Sequence, residues 1–324
     1  MTLPSCTDQQ FISLWKELQS NKKVADRLGV DARNAADRRR RIEARYGITL
    51  PTYDPRRPQY NTYQSKHNAR INLDLQNGYI IVGSDAHIWP GKQTTAMRAL
   101  IKFVAELKPK QVHMNGDVFD GATISRHPKI GFLEKAPTVK EEIRACQDAL
   151  AEIEEVAKDA KKVWEFGNHC LRFESFLAAK VQEYEGLEHF HLKDWFPKWE
   201  PCWSCHVNAD QSGHLVIKHR HKGGVYDVRN NLLAAHTHMV TGHTHALKWW
   251  PLTTYRAQTL YGVNTGTLAD PHGEQFVHYT EDAPTDWRSG FAVLQFWRGR
   301  LLMPELVEVI GDGLVNFRGE VLQV

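Results

Sequence analysis

The sequence is short of several things, and each shortage excludes something. Cysteine occurs five times in 324 residues, too sparsely for a disulfide framework, so a reducing cytoplasm is the expected compartment. No apolar run approaches the roughly 18 residues a membrane span needs, so no membrane partner is expected. Met1 is not followed by a basic segment and an apolar stretch, so a secretory signal is not expected. Internal repeats and low-complexity tracts are absent. Hydrophobic residues at 42% and charged residues at 24% are ordinary soluble usage, which excludes collagen-like and wholly disordered chains. At about 150 residues per domain the length predicts two domains. Charge of one sign is scarce as well, the formal net being only +3, but the total hides an asymmetry. Residues 1–70 hold 14 Lys/Arg against 7 Asp/Glu, a net of +7, which leaves the other 254 residues at −4. A basic head suits a polyanion, and a mildly acidic body leaves room for chemistry.

The first 46 residues read as three helices. Phe11, Leu14, Trp15 and Leu18 are spaced for one helical face, with Thr7 or Asp8 available as N-cap. A second helix, from Lys22 to Leu28, stops at Gly29, and a third runs from about Asp31 to Tyr46 before Gly47. In Val24-Ala-Asp-Arg-Leu-Gly-Val30 a small residue stands four before a glycine, followed by an apolar one, which lets two helices cross closely. This segment resembles the helix-turn-helix of DNA-binding domains, a likeness of about 40 residues. It implies a DNA partner for Arg33, Arg38, Arg39, Arg40, Arg41 and Arg45 on the third helix. Residues 1–48 are therefore read as a small all-α domain. Residues 49–77, with Pro51, Pro55 and Pro58 among polar residues, are read as a linker or basic arm.

From Gly78 strand-like runs alternate with amphipathic helices. The strands are expected at Tyr79–Gly83, Gln111–Asn115, Lys162–Phe166, His214–Lys218 and His238–Thr241. The helices between them are expected at about Thr94–Leu107, Val139–Ala160, Phe173–Glu183 and Val225–Ala235. Further strands follow at Ala257–Val263, Gly290–Trp297 and Leu301–Val309. Such alternation predicts an α/β layered domain over 78–324.

Histidine is abundant, 17 in all, with eight between His206 and His245. Each of the five strands is followed at once by metal-type or acid/base residues: Asp85-Ala-His87, Gly116-Asp-Val-Phe-Asp120, Gly167-Asn-His169, His219 and Gly242-His-Thr-His245. Groups at the carboxyl ends of adjacent strands converge on one crevice. Imidazole with carboxylate and amide oxygen suits Mn, Fe, Zn or Ni. The ordered set resembles the signature of the calcineurin-like metallophosphoesterases: D-x-H, G-D-x-x-D, G-N-H-[D/E], H and G-H-x-H. The likeness covers about residues 78–270, including Tyr261-Gly-Val-Asn-Thr-Gly-Thr267. It implies a layered β-sandwich flanked by helices and two divalent transition metals, Mn foremost, with Fe, Zn, Ni or Mg as alternatives. One metal would take Asp85, His87 and His245; the other would take Asn168, His219 and His243; Asp117 would bridge them. A metal-bridging hydroxide would be the nucleophile, His169 the general acid and Asp120 its orienting partner.

The sequence departs from that pattern in two places. Position 170 is Cys where the family usually carries an acid. Position 121 is Gly, which fits poorly with the protein Ser/Thr phosphatases and their phosphate-gripping Arg. The stretch Thr123–Lys129 and Asn168-His-Cys-Leu-Arg172 look instead like phage and prophage phosphoesterases, which implies Arg126 and Arg172 as phosphate holders. His236 and His238 are read as structural. His238 stands five residues before His243, about 16 Å along a strand at roughly 3.3 Å per residue. His221 shares a strand face with His219 if the strand continues, and the resemblance favours His219. Cys202-Trp-Ser-Cys-His206 is read as two buried thiols in an insertion, with a small zinc site involving His189 or His191 and a haem attachment site as alternatives.

The expected function is a DNA-directed phosphodiesterase, a nuclease whose basic head places its catalytic body on the substrate. The alternatives are a phosphatase or cyclic-nucleotide phosphodiesterase localised by that head, and a non-catalytic DNA-binding protein.

Overall fold

The computed structural model describes residues 6–52, 67–126, 136–209, 213–255, 258–276 and 285–324. The chain divides into two compact units, Met1–Lys66 and His67–Val324.

Among its described residues the first unit holds three helices, α1 (Asp8–Leu18), α2 (Asn21–Leu28) and α3 (Ala32–Tyr46). Thr7 caps α1 in a reciprocal box with Gln10, satisfying two free N-terminal donors at once. Gly29 and Gly47 end α2 and α3 at φ 64, a left-handed turn that costs glycine nothing. Phe11, Trp15, Val24, Ala25, Ala35, Ile42 and Leu50 form the core. The Trp15 indole N–H donates to the Pro51 carbonyl at 2.8 Å, which ties the chain after α3 to α1.

The second unit is built on two sheets. The larger contains a parallel run of β2 (Gly78–Gly83), β3 (Gln111–Asn115), β4 (Lys161–Glu165) and β5 (Glu200–Cys202). It continues antiparallel from β2 through β11 (Gly290–Trp297), β13 (Glu305–Gly311), β14 (Leu314–Phe317) and β15 (Glu320–Gln323), with β12 (Arg300–Leu301) beside β11. The smaller sheet runs in the order β1 (Arg70–Leu73), β6 (Ser204–Val207), β7 (Leu215–Ile217), β8 (His238–Thr241), β10 (Thr259–Thr265) and β9 (Leu247–Thr253).

Period-two alternation divides the core in two. Ile80 and Val82 of β2 and Val163 of β4 pack with Val207, Leu215, Ile217 and Val240 of the smaller sheet. Ile81, Met114 and Trp164 point the other way, onto α4 (Thr95–Leu107), α5 (Val139–Val156) and α6 (Cys170–Lys180). Helix α7 (Asp227–Ala235) covers the outer face of the smaller sheet against β8, β9 and β10. The result is a layered α/β arrangement with a two-sheet centre.

Two expectations change. Residues 70–73 lie inside the stretch read as a linker, yet they form a strand, pairing in parallel from Arg70↔Ser204 to Leu73↔Val207. Residues 53–66 of that stretch lie outside the described residues. Cys202 and Cys205 are not in an insertion: they sit on β5 and β6, one in each sheet, and both are buried. Among the described residues no helix is long and apolar enough to cross a membrane.

Candidate metal centre

The five motifs do follow five strands, and they meet at one end of the two-sheet centre. Asp85 and His87 follow β2, Asp117 and Asp120 follow β3, and Asn168 and His169 follow β4. From the smaller sheet, His219 follows β7, while His243 and His245 follow β8. The loops are tied by backbone hydrogen bonds, Asp85 N–H to Gly116 O at 3.0 Å and His87 N–H to Asp117 O at 2.8 Å. Asp85, His87, Asp117, His243 and His245 all have positive φ. Such backbone is strained outside glycine, and it occurs here at five of the seven proposed ligands.

Two glycines explain why the motifs contain them. A Cβ on Gly167 would lie 2.1 Å from Asp117 Oδ1, and one on Gly116 would lie 2.2 Å from His219 Nδ1. Both carry side chains of the centre directly against backbone, so only glycine fits.

Two groups of donors converge. Asp85, His87 and His245 form one, and Asp117, His219 and His243 the other; within each, the candidate ligand atoms lie within 4.8 Å of one another. His245 Nε2 stands 3.2 Å from Asp85 Oδ1, and His219 Nε2 stands 3.0 Å from Asp117 Oδ2 and 3.9 Å from Asp85 Oδ1. Asp85 Oδ1, His87 Nε2, Asn168 Oδ1 and His219 Nε2 are buried and make no hydrogen bond of good geometry. Orphaned donors and acceptors so close together are what a cation would satisfy. Hydrogen bonds fix the rings from behind: His219 Nδ1–H donates to Asn115 O at 2.8 Å, and His87 Nδ1 meets Asp120 Oδ1 at 2.8 Å, leaving each Nε2 to the centre.

The electrostatics agree. Burial alone would raise Asp85 and Asp117, but facing imidazoles overrule it. Asp85 is brought down to about 2 by His219 and His245, and Asp117 falls far below the usual carboxylate range, chiefly through His219. Burial likewise opposes protonation of His219, yet Asp117 and Asp85 raise it to about 9. Cation binding at this centre would therefore compete with protonation of His219.

Asp120 does more than the expected pairing. Its Oδ1 lies 2.8 Å from His169 Nδ1 as well as from His87 Nδ1, so one oxygen orients two rings. Arg172 lies behind it, with Nη1 donating to Asp120 O at 3.0 Å and Nη2 standing 3.1 Å from His169 Nε2. A guanidinium only donates, so in this contact His169 Nε2 accepts. Arg126 is exposed, and His127–Lys129 lie outside the described residues. His219 is buried at the centre whereas His221 is exposed. His238 accepts the Tyr261 N–H at 2.9 Å, as a structural histidine does.

Several supports escaped the sequence reading. The Ser84 hydroxyl donates to Asp85 Oδ2 at 2.6 Å, and the Thr267 hydroxyl donates to Asp85 O at 2.6 Å. Asn264 Nδ2 donates to Gly242 O at 3.1 Å and to Asp227 Oδ2 at 2.8 Å. Only the run Asn264–Thr267 carried a sequence signal, the late N-x-G-[S/T] turn.

Two clefts flank the centre. One of about 1110 Å³ is lined by His87, Trp89, Lys92, His272, Trp287 and Arg288. The other, about 530 Å³, is lined by Asn168, His219, Arg70, Lys218, Arg220 and Trp203.

No family model matches the chain. The Gene 54 proteins of Mycobacterium phages L5 and D29 are each 26% identical to it, over 269 and 270 residues, covering 76% of this chain and 98% of each relative. Among solved structures it is similar to zinc-complexed Vps29 from Entamoeba histolytica, at 12% identity and a TM-score of 0.39, covering 76% of this chain and 98% of that one. It is also similar to a dimetal phosphatase from Danio rerio, at 10% identity and a TM-score of 0.36, covering 77% and 99%.

Proposed function

We propose that the chain is a dinuclear metallophosphoesterase of the calcineurin-like type, acting as a phosphodiesterase on DNA. The observation that carries the chemistry is the pair of His/Asp groups, buried but for His243, around orphaned atoms. Asp85, His87 and His245 would hold one cation and Asn168, His219 and His243 the other, with Asp117 between them. Divalent cations held there, Mn foremost, would supply the Lewis acidity that activates water at neutral pH and offsets phosphoryl charge.

The chain's own residues do the rest. Asp120 holds the His169 ring, which delivers a proton to the leaving oxygen from Nε2. Arg172 occupies that nitrogen in the substrate-free arrangement. A phosphate drawing the guanidinium away would free Nε2 to take a proton from solvent, which it then gives to the leaving oxygen, so Arg172 would both grip the substrate and govern the charging of the acid. Arg70, Lys218 and Arg220 beside Asn168 and His219 give the smaller cleft a cationic wall, and Trp203 there offers a base-stacking surface, half of it exposed. That combination favours a nucleic-acid diester over a small monoester. The helix-turn-helix head, with exposed Arg33, Arg40, Arg41 and Arg45, would supply non-specific phosphate contacts.

The test is a substrate panel on metal-stripped protein refilled with Mn, pairing bis- and mono-p-nitrophenyl phosphate with plasmid and oligonucleotide DNA. Stripping should abolish hydrolysis, and Mn should restore it on the diester and DNA. Full activity in excess chelator after prolonged dialysis overturns the mechanism. Preference for the monoester assigns the protein to the phosphatases instead.

A further inference from the structure

Away from the centre, strict strand alternation carries three metal-type side chains into the otherwise apolar space between the sheets. His113 on β3 and Glu165 on β4 come from the larger sheet, and Cys205 on β6 comes from the smaller; none has measurable exposure. One ligand atom from each lies within 4.8 Å of the others. Cys202 on β5, 4% exposed, belongs to the same packed layer.

The cluster is incomplete as a hydrogen-bonded unit. His113 Nδ1 stands 2.7 Å from Glu165 Oε1, but Glu165 Oε2 is buried with no hydrogen-bond partner. A carboxyl oxygen left bare in an apolar layer is costly, and native cores rarely keep one. The outer ring nitrogen, His113 Nε2, is held by Gln111 Oε1 at 3.0 Å. That is how a metal-ligating histidine is oriented, one nitrogen fixed from behind and the other turned to the ion. Burial and the Glu165 charge push both thiols up, so they stay protonated unless a cation supplies the compensating charge; on binding, their protons would leave to solvent. Thiolate, imidazole and carboxylate in a closed, dry pocket match four-coordinate structural zinc.

We propose that His113, Glu165, Cys205 and Cys202 form a second, structural zinc site that clamps the two sheets together, separate from the hydrolytic centre. It does not rest on the phosphodiesterase reading.

Cobalt substitution tests it, because the ligands proposed for the hydrolytic centre contain no sulfur. Full-length protein loaded with Co²⁺ should show a near-ultraviolet thiolate-to-cobalt charge-transfer band. Cys205→Ser should lose that band and one equivalent of bound metal, yet keep its diester hydrolysis. Gln111→Ala should weaken metal retention at this site by about 10–100-fold, as loss of an outer-shell partner typically does. Cobalt-loaded wild-type protein without the band overturns the proposal, whatever the variants do. So does a band that survives in both Cys205→Ser and Cys202→Ser. Loss of diester hydrolysis with the band intact would count against the function proposed above and leave the zinc site standing.

Discussion

Asp120 Oδ1 meets two imidazoles at the same distance, 2.8 Å, which makes its replacement a poor probe of the acid step, since His87 would be disturbed as well. His169 is the cleaner target. His169→Ala should leave both metals bound yet slow diesters with poor leaving groups by about 10²–10⁴-fold. Its effect on p-nitrophenyl esters, which need little protonation, should be far smaller. Steady-state rates on the two substrate types check this, and equal losses remove His169 from the role. A second residue-scale outcome concerns His238. Burial, reinforced by His214, lowers it from 6.5 in the unfolded chain to about 4 in the fold. Between those values the unfolded chain binds a proton that the folded chain refuses. The contribution is therefore fully present above pH 6.5 and is lost as pH falls through 4, reaching on the order of 3 kcal/mol at about 1.4 kcal/mol per unit. Urea unfolding of His238→Gln should lose less stability between pH 7.5 and pH 4.5 than wild type does.

Helix α3 separates its arginines by role. Arg38 stacks over Phe11 at 5.0 Å, donates to Cys6 O and pairs with Asp8 at 3.2 Å. Arg39 stacks over Trp15 at 5.2 Å, bonds Thr52 and pairs with Glu43. These two tie α3 to α1, where Arg45 adds an exposed pair with Asp8 at 3.0 Å. Arg40 is paired only locally, with Asp37, and Arg33, Arg40, Arg41 and Arg45 are exposed. Replacing Arg38 or Arg39 with Ala should therefore destabilise the helical unit by about 1–2 kcal/mol each, read as a fall in its thermal midpoint. Replacing Arg40 and Arg41 should leave the midpoint unchanged and weaken DNA binding. Weak binding with an unchanged midpoint after Arg38→Ala would reverse that division.

On the scale of the whole molecule, the division at Lys66 sets where the chain can be cut. Removal of residues 1–70 would take Arg70 out of β1, whereas removal of 1–66 spares it. The shorter deletion should leave bis-p-nitrophenyl phosphate hydrolysis nearly unchanged, since every proposed ligand lies at or beyond Asp85. It removes a net charge of +6 and should flatten the salt dependence of DNA affinity. If the four exposed arginines each meet a phosphate, the slope of log K against log salt should shrink by about 3.6, at roughly 0.9 per contact. Filter-binding titrations across salt concentrations measure it. An unchanged slope would mean that the head does not bind DNA.

The sequence by itself determined the elements and the order of the motifs. Helical spacing in 8–46, alternation in the strands and metal-type or acid/base residues after each of five strands are local patterns, and local geometry alone produces them. Only the tertiary structure decided which side chains meet. Arg70–Leu73 looked like the end of a linker because its partner, Ser204–Val207, lies more than a hundred residues away. Arg38 and Arg39 looked the same as Arg40 and Arg41 in a run of four, and packing on Phe11 and Trp15 separated them. Cys202 and Cys205 suggested His189 or His191 by nearness in sequence, but His191 pairs with Glu174. His113 and Glu165 reach Cys205 through strand pairing and sheet packing. Which residues share a face is written in the chain, but which faces oppose is settled by burying two sheets against each other.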